Sequence, residues 1–265
     1  MGLAIDTVLL DVHNASTNAA ALTAATAANG DSLAVRYFKD GYACLTNLFM
    51  QGTTPPRQIR ITSPRLHDNV TGLTIQPLEN PTEFMFPPEW PQPLVANDTL
   101  VVSMDAAASS DTVAALQVFY SNLQGVNANL QTWAQVKPKI IALKPIEVVC
   151  TSSATIGQWT DTVITTTENQ LKADYNYALL GFTESANALT VGLKGPDTGN
   201  LRVCCPAASP TLRLTDYFVF MSNQFGIPFI PVFNANNRGS TYISVAANTA
   251  SVTTNVYAML AQLAD

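Results

Sequence analysis

The feature that most constrains the fold of this chain is an internal repeat. Blocks in the second half of the sequence match blocks in the first half, in the same order and about 140 residues further on. The matched pairs are 7–10 with 146–149, 29–45 with 168–182, 58–64 with 200–206, 86–91 with 227–231, 99–103 with 241–245, and 113–123 with 256–263. The repeat therefore predicts two similar units in tandem.

The local pattern within both units is that of β-strands. Ile59 and Ile61 alternate with polar residues, and so do the apolar residues of segment 171–177. A period of two predicts half-buried strands. The continuous apolar run 217–221 predicts a strand that is covered on both faces. Segment 256–263 fits either a helix or a strand.

Frequent turn signals rich in Gly, Pro and Asn separate these short runs. A count of about eight strands in each unit favours a jelly roll over a seven-stranded immunoglobulin-like sandwich. We therefore predict an all-β fold of two tandem jelly-roll β-sandwiches from an internal duplication, spanning residues 1–125 and 144–265. Residues 126–143 form the predicted short linker, and a short helix is one interpretation of 126–136.

The charge of the chain is low, since only 12% of its residues are charged, against about 25% in an average soluble protein. Either neighbouring subunits cover much of the surface, or Asn, Thr, Ser and Gln solvate it. The net charge of −6 argues against direct nucleic-acid binding, which needs clustered Lys and Arg. The first residues lack the basic start of a secretory signal, and Asp6 and Asp11 interrupt them. We expect a chain that is not secreted by a signal peptide.

The metal-binding and redox residue types are few. The sequence contains four cysteines, Cys44, Cys150, Cys204 and Cys205, which lack the spacing of a zinc site. We expect buried free thiols, with the adjacent Cys204 and Cys205 on opposite faces of one strand. The two histidines, His13 and His67, share no short-range ligand spacing with a third. We predict no metal site and no cofactor.

The strongest catalytic resemblance is the triplet Asp197-Thr198-Gly199, which carries the carboxylate in aspartic proteases. Those enzymes use one triplet from each half, whereas the matching segment 52–56 has no Asp. A β-turn explains the triplet better, because Pro, Asp and Gly favour turns. No pair stands out among the remaining carboxylates, which include Glu79, Glu83, Glu89, Asp174 and Glu184. We predict a protein that is not an enzyme and has no catalytic residues.

The aromatic residues and two arginines have both structural and binding interpretations. The segment around Trp90 resembles a carbohydrate platform, but its partial repeat around Phe229 favours a packing role. Trp133 and Trp159 are interpreted as packing anchors. Arg60 and Arg202, at matching places in the repeat, are interpreted as solvated, with contacts to neighbouring subunits as the alternative.

Two tandem jelly-roll-like units, a short linker, low charge and the lack of a catalytic set resemble the double jelly-roll major capsid proteins of icosahedral DNA viruses. The length is similar to that of the compact bacteriophage members. The resemblance covers the whole chain in layout and depends on no diagnostic motif, so no individual residue role is carried over.

The resemblance implies a viral structural protein that forms pseudo-hexameric homotrimers, which tile an icosahedral capsid. It implies a virion location after assembly in the host cytoplasm, with other capsid proteins such as a penton as partners. It leaves contact with an inner membrane open. The alternatives are a duplicated β-sandwich binding module, lectin-like or a phage decoration or fibre protein, and a hydrolase that uses Asp197.

Overall fold

The fold is known for most of the chain from a computed structural model. It describes residues 2–14, 23–24, 26–27, 34–36, 39–52, 56–65, 72–75, 82–106, 110–164, 171–184, 188–207, 215–247 and 249–264. Antiparallel β-strands dominate these segments. The predicted all-β class is therefore confirmed.

Ten strands are described in the first half of the chain, and we call them together the first roll. They are β1 (Leu3–Asn14), β2 (Thr23–Ala24), β3 (Thr26–Ala27), β4 (Tyr42–Gly52), β5 (Pro56–Thr62), β6 (Leu73–Ile75), β7 (Thr82–Met85), β8 (Gln92–Leu94), β9 (Val101–Ala106) and β10 (Ser110–Ser121). One sheet has the order β3-β1-β10-β4-β7, with β8 also paired to β4, and the other has the order β2-β9-β5-β6.

The described strands of the second half form the second roll together with two α-helices and three short 3₁₀ helices. The strands and α-helices are β11 (Leu130–Gln131), α1 (Trp133–Val136), β12 (Ile140–Thr151), β13 (Thr160–Val163), β14 (Asn176–Glu184), β15 (Thr190–Lys194), β16 (Val203–Pro206), α2 (Tyr217–Phe225), β17 (Ile230–Asn234), β18 (Tyr242–Ala246) and β19 (Thr253–Leu263). The two sheets have the orders β11-β17-β14-β19-β12 and β13-β18-β15-β16.

The same strand order recurs in both rolls. Each roll has eight principal strands when the short strands β3, β8 and β11 are left out. Counted from one to eight along the chain, they form one sheet with the order 1-8-3-6 and another with the order 2-7-4-5. The first sheet is β1-β10-β4-β7 in one roll and β12-β19-β14-β17 in the other. Two interlocked Greek keys with this order are a jelly roll. The strand order therefore settles the choice between a jelly roll and an immunoglobulin-like sandwich.

Each strand pair also stays within one roll, since the described pairings join no strand of residues 3–121 to a strand of residues 130–263. The linker region contributes to the second roll, because β11 pairs with β17 and β12 already begins at Ile140. The backbone N–H of Trp133 donates to the Ser222 hydroxyl, 3.1 Å away. The division at residues 125 and 144 remains a prediction.

Segment 217–221, which we predicted to be a strand, is helical. It lies in α2, which ends at Phe225 and is followed by Gly226 in the left-handed conformation. The buried residues Tyr217, Phe218, Met221 and Phe225 recur with the helical rather than the strand period. Five apolar residues are too few to distinguish the two periods, so the tertiary environment overrides strand propensity here.

Segment 171–177 is also mostly not a strand. Its residues 173–174 form a turn in which Asp174 has a φ of 67°, and β14 begins only at Asn176. By contrast, β5 matches its prediction, since Ile59 and Ile61 are buried and Arg60 between them is half-buried. Segment 256–263 is a strand within β19. Within 126–136 the helix is limited to the four residues of α1.

One matched pair of sequence blocks is not structurally equivalent. Segment 58–64 falls on β5, which pairs with both β6 and β9, whereas 200–206 falls on β16, an edge strand that pairs with β15. The blocks 99–103 with 241–245 and 113–123 with 256–263 do fall on equivalent strands, while 86–91 lies between β7 and β8 and 227–231 leads into β17. The Arg-containing pattern therefore arises by coincidence.

Candidate functional site: the junction between the two rolls

The central strands of the first roll are buried on both of their faces. In β4, residues 43–50 are all buried, and in β10 the same holds for residues 115–120. A sheet of a free two-layer sandwich has one face in the core and one in water. Here the second roll covers the outer face, and we call this contact the junction.

An apolar row of the first roll forms the centre of the junction. Leu9, Ala115 and Phe49 lie side by side across β1, β10 and β4. They pack against three residues of the second roll and form a cluster separate from the main core; these residues are Leu189, Cys204 and Ala246. Burying a Leu or Phe side chain stabilises a fold by about 1.5–3 kcal/mol. The row therefore contributes substantially to holding the rolls together.

A row of polar residues lies beside the apolar row. On each strand, the polar residue is two positions away from the apolar one. The polar row consists of Thr7, Gln117 and Asn47, which are all buried. The N–H of Thr7 donates to the carbonyl oxygen of Arg202 at 3.1 Å, and Gln117 Nε2 donates to the carbonyl oxygen of Cys204 at 2.5 Å. These directional bonds fix the position of one roll against the other.

Helix α2 supplies a further polar contact of the junction. Asn47 Nδ2 donates to the hydroxyl oxygen of Tyr217 at 2.6 Å, and that hydroxyl lies 3.5 Å from Gln117 Oε1. The ring of Tyr217 packs edge-on against Phe218, which lies in the core of the second roll. The error in the prediction for 217–221 therefore concerns a residue that joins the two rolls.

The second roll meets the first through the outer face of its β13-β18-β15-β16 sheet. Asp161, Ser244, Gly192 and Cys204 lie in one row across these four strands. A Cβ atom on Gly192 would overlap the Sγ of Cys204, so only glycine fits there. Cys204 lies in the junction cluster and Cys205 in the main core. The predicted opposite orientation of the two cysteines is confirmed.

A charged cluster borders this face. Asp161 accepts hydrogen bonds from Lys194 Nζ at 2.8 Å and from the Ser244 hydroxyl at 2.6 Å, and Arg202 Nη2 lies 3.3 Å away. The Arg202 guanidinium carbon is 4.9 Å from the centre of the Trp159 ring. Partial burial raises the pKa of Asp161, but these hydrogen bonds and the charge of Arg202 outweigh it and lower the pKa overall.

The four cysteines are free and buried, as predicted. Burial raises the pKa of the Cys204 thiol to about 12, and it raises that of Cys44 to about 12 as well. Because the thiolate is the reactive form, these thiols are poor nucleophiles near neutral pH.

Asp197 lies in a turn, as predicted. A short 3₁₀ helix spans Pro196–Thr198, and Gly199 follows with a φ of 65°. One carboxylate oxygen of Asp197 accepts from the backbone N–H of Asn234 at 3.2 Å and from Asn237 Nδ2 at 2.9 Å. The carboxylate therefore fastens two loops of the second roll together.

Two of the other candidate carboxylates also have structural contacts, whereas Glu89 is exposed. Glu184 accepts from the N–H of Ala188 at 3.3 Å, and Asp174 accepts from Asn236 Nδ2 at 2.9 Å. Glu79 and His67 lie outside the described residues, as do the side chains of Glu83 in β7 and His13 in β1. The prediction of no catalytic or metal residues remains a prediction.

The tryptophans differ from one another in exposure. Trp133 and Trp159 are half-buried and pack against the cores, as expected for anchors. Trp90, however, is 70% exposed, although Phe229 in the matching segment is fully buried. The packing role predicted for the Trp90 segment is therefore wrong for the tryptophan itself. The turn that carries it contacts the second roll, because the N–H of Glu89 donates to the carbonyl oxygen of Gln224 at 2.7 Å.

Arg202 is half-buried within the charged cluster, so its prediction as a solvated residue is wrong. Arg60 is half-buried on the outer face of β5, where it pairs in register with Thr74. Sequence reasoning missed Thr7, Asn47 and Gln117. A usable signal was the lack of alternation in segments 43–50 and 115–120, which is typical of strands that are covered on both faces.

Within the described part of the chain, no helix combines the length and the apolar character needed to span a membrane. No protein-family model matches the sequence. A search of curated proteins also gives no match.

Three solved structures show weak overall similarity. A chain in the atomic structure of Sulfolobus turreted icosahedral virus has a TM-score of 0.24 and 8% identity, covering 98% of this chain and 80% of that one. The STIV MCP has a TM-score of 0.21 and 6% identity, covering 99% and 97%. The PBSX exported protein XepA has a TM-score of 0.20 and 8% identity, covering 93% and 88%. Scores this low carry no argument about fold or function.

Proposed function

We propose that this chain is a viral structural protein, a major capsid subunit that forms pseudo-hexameric homotrimers in an icosahedral shell. The observation that carries the proposal is the junction, in which a sheet face of the first roll is docked on a sheet face of the second. Apolar burial and four directed polar contacts make the two jelly rolls one block. A shell needs subunits of fixed shape more than it needs a flexible site.

The geometry of a shell follows from having two rolls in each chain. Three chains supply six rolls, so a three-fold assembly has a nearly six-sided outline that tiles a hexagonal lattice. Many modest contacts between subunits then replace one tight binding site. The low charge of the chain, at 12% of residues, suits flanks that become covered on assembly.

The proposal includes partners and location. The chain associates with itself and with other capsid proteins such as a penton, and it resides in the virion after assembly in the host cytoplasm. The net charge of −6 supports a shell whose subunits bind no specific nucleic-acid sequence directly. The chain acts through its shape and contacts rather than through catalysis.

The test is the assembly state of the purified full chain. Light scattering coupled to gel filtration is expected to give the mass of three chains, and negative-stain microscopy is expected to show six-sided particles, sheets or cages. A monomer that stays monodisperse at high concentration contradicts the proposal. Binding of that monomer to a glycan array would instead support the lectin-like module.

A further inference from the structure

The second roll presents an uncovered apolar sheet face on β12 and β19. Ile141, Leu143 and Val149 are 55%, 59% and 57% exposed, and Tyr257 on the neighbouring strand is 41% exposed. The alternate residues of the same strands, such as Val148 and Val256, are fully buried. We call the outward side of these two strands the β12–β19 face; it is exposed at these four residues, whereas Ala261, the register partner of Leu143, is buried.

This face is the counterpart of the covered face of the first roll. In the first roll a register shift follows the pair Gln117–Asn47, and in the second roll it follows the equivalent pair Met259–Gly181. Tyr257 precedes Met259 by two residues, just as Ala115 of the apolar row precedes Gln117. Tyr257 therefore occupies the position that is equivalent to Ala115. Within one chain, therefore, this face is docked in one roll and open in the other.

The sheet of the second roll that covers the first roll also has a counterpart, which lies in the first roll. The junction uses the outer face of the β13-β18-β15-β16 sheet, and the equivalent sheet of the first roll is β2-β9-β5-β6. On the outer side of that sheet, Thr74 is exposed and Arg60 is half-buried, while their neighbours Ile59 and Ile75 face the core. We call this outer side the β5–β6 face.

We propose that the β12–β19 face of one chain docks on the β5–β6 face of a second copy, repeating between chains the junction found within the chain. The contact is head-to-tail, and such contacts close into rings when the rotation allows it. This inference rests on the proposed function and adds the surfaces that assembly uses.

Each of the two faces carries a charged residue, and the two residues are of opposite sign. Glu147 lies on the β12–β19 face, where it accepts a hydrogen bond from the Tyr257 hydroxyl at 3.0 Å. Arg60 lies at the centre of the β5–β6 face. An acidic residue on one surface and a basic residue on the other favour the head-to-tail pairing over pairing of like faces.

The first experiment places acidic residues on the β12–β19 face of the full chain. The double variant Leu143→Glu, Val149→Glu is expected to elute as a monomer, with an unchanged circular dichroism spectrum and melting temperature. The matched control, Trp90→Glu, changes a more exposed apolar residue elsewhere and is expected to associate like the wild type. A double variant that associates like the wild type overturns the inference while the capsid proposal stands. A wild type that is itself monomeric overturns both.

The second experiment identifies the partner surface. Chains that carry Val149→Cys are mixed with chains that carry Thr74→Cys and treated with a short bis-maleimide; the native thiols are buried and serve as the unreactive background. Covalent dimers are expected in the mixture and not with either variant alone. Dimers of Val149→Cys alone would mean that like faces meet. No dimers in an associating mixture would place the contact elsewhere, and either result overturns the inference.

Discussion

Gln117 of the first roll donates a hydrogen bond from its side-chain amide to the backbone carbonyl oxygen of Cys204 in the second roll, over 2.5 Å. Both residues are fully buried. A polar side chain in this position costs free energy unless it is paired, and its partner belongs to the other roll. The bond therefore links the stability of each roll to the presence of the other.

Replacement of Gln117 by Ala is expected to destabilise the protein by about 1–3 kcal/mol, because the Cys204 carbonyl is left buried and unpaired. Urea unfolding followed by fluorescence measures the change. Gln124→Ala, at an exposed glutamine, is the control and is expected to alter stability by less than about 0.5 kcal/mol. Equal effects of the two substitutions would contradict the role given to the bond.

Gly192→Ala is expected to lower the melting temperature, because the new methyl group overlaps the Cys204 Sγ and approaches the backbone of Val203. Overpacking of this kind costs about 1–3 kcal/mol. Gly239→Ala is the control, since nothing lies within 4 Å of a Cβ atom there. Adding Cys204→Ala to the Gly192 variant is expected to restore part of the loss, and no recovery would place the strain elsewhere.

Stability is expected to fall in acid partly through Asp161, whose folded-state pKa is below the ordinary 3.8. A lowered pKa stabilises the fold at pH values above 3.8, and this stabilisation is lost as the pH falls through the folded-state pKa. Asp161→Asn is therefore expected to lower the melting temperature at neutral pH and to show a smaller further loss in acid. Asp40→Asn, at an exposed aspartate, serves as the control. Parallel melting curves for wild type and Asp161→Asn over the acid range would contradict the assignment.

A thiol reagent such as Ellman's reagent is expected to react slowly with all four cysteines of the native protein and quickly after unfolding. All four thiols are buried, and burial raises the pKa values of Cys44 and Cys204 to about 12. A Trp90→Cys variant is the positive control and is expected to gain one fast-reacting thiol, because that position is 70% exposed and lies outside the proposed contact between chains. A fast-reacting thiol in the native wild type would contradict the described burial.

The jelly rolls could be predicted from the repeat because the repeated blocks consist of local features, namely strand alternation and turn residues. Alternation at Ile59 and Ile61 reports burial of one strand face, and the turn at Asp197 follows from residues that favour turns. Both predictions agree with the structure. The helix over 217–221 was mispredicted because its bulky apolar residues favour strands, while helix α2 is stabilised by packing against β14 and β17.

The sequence by itself determined the fold class, the duplicated layout and the buried state of the cysteines, since each depends on local pattern and composition. Only the tertiary structure decided that Thr7, Gln117 and Asn47 meet the second roll, because such contacts join residues far apart in the chain. It also decided that Leu143 and Val149 are exposed while the equivalent face of the first roll is covered. The physical reason is that a strand pattern encodes which residues are apolar, but the surface that covers them is chosen by long-range packing.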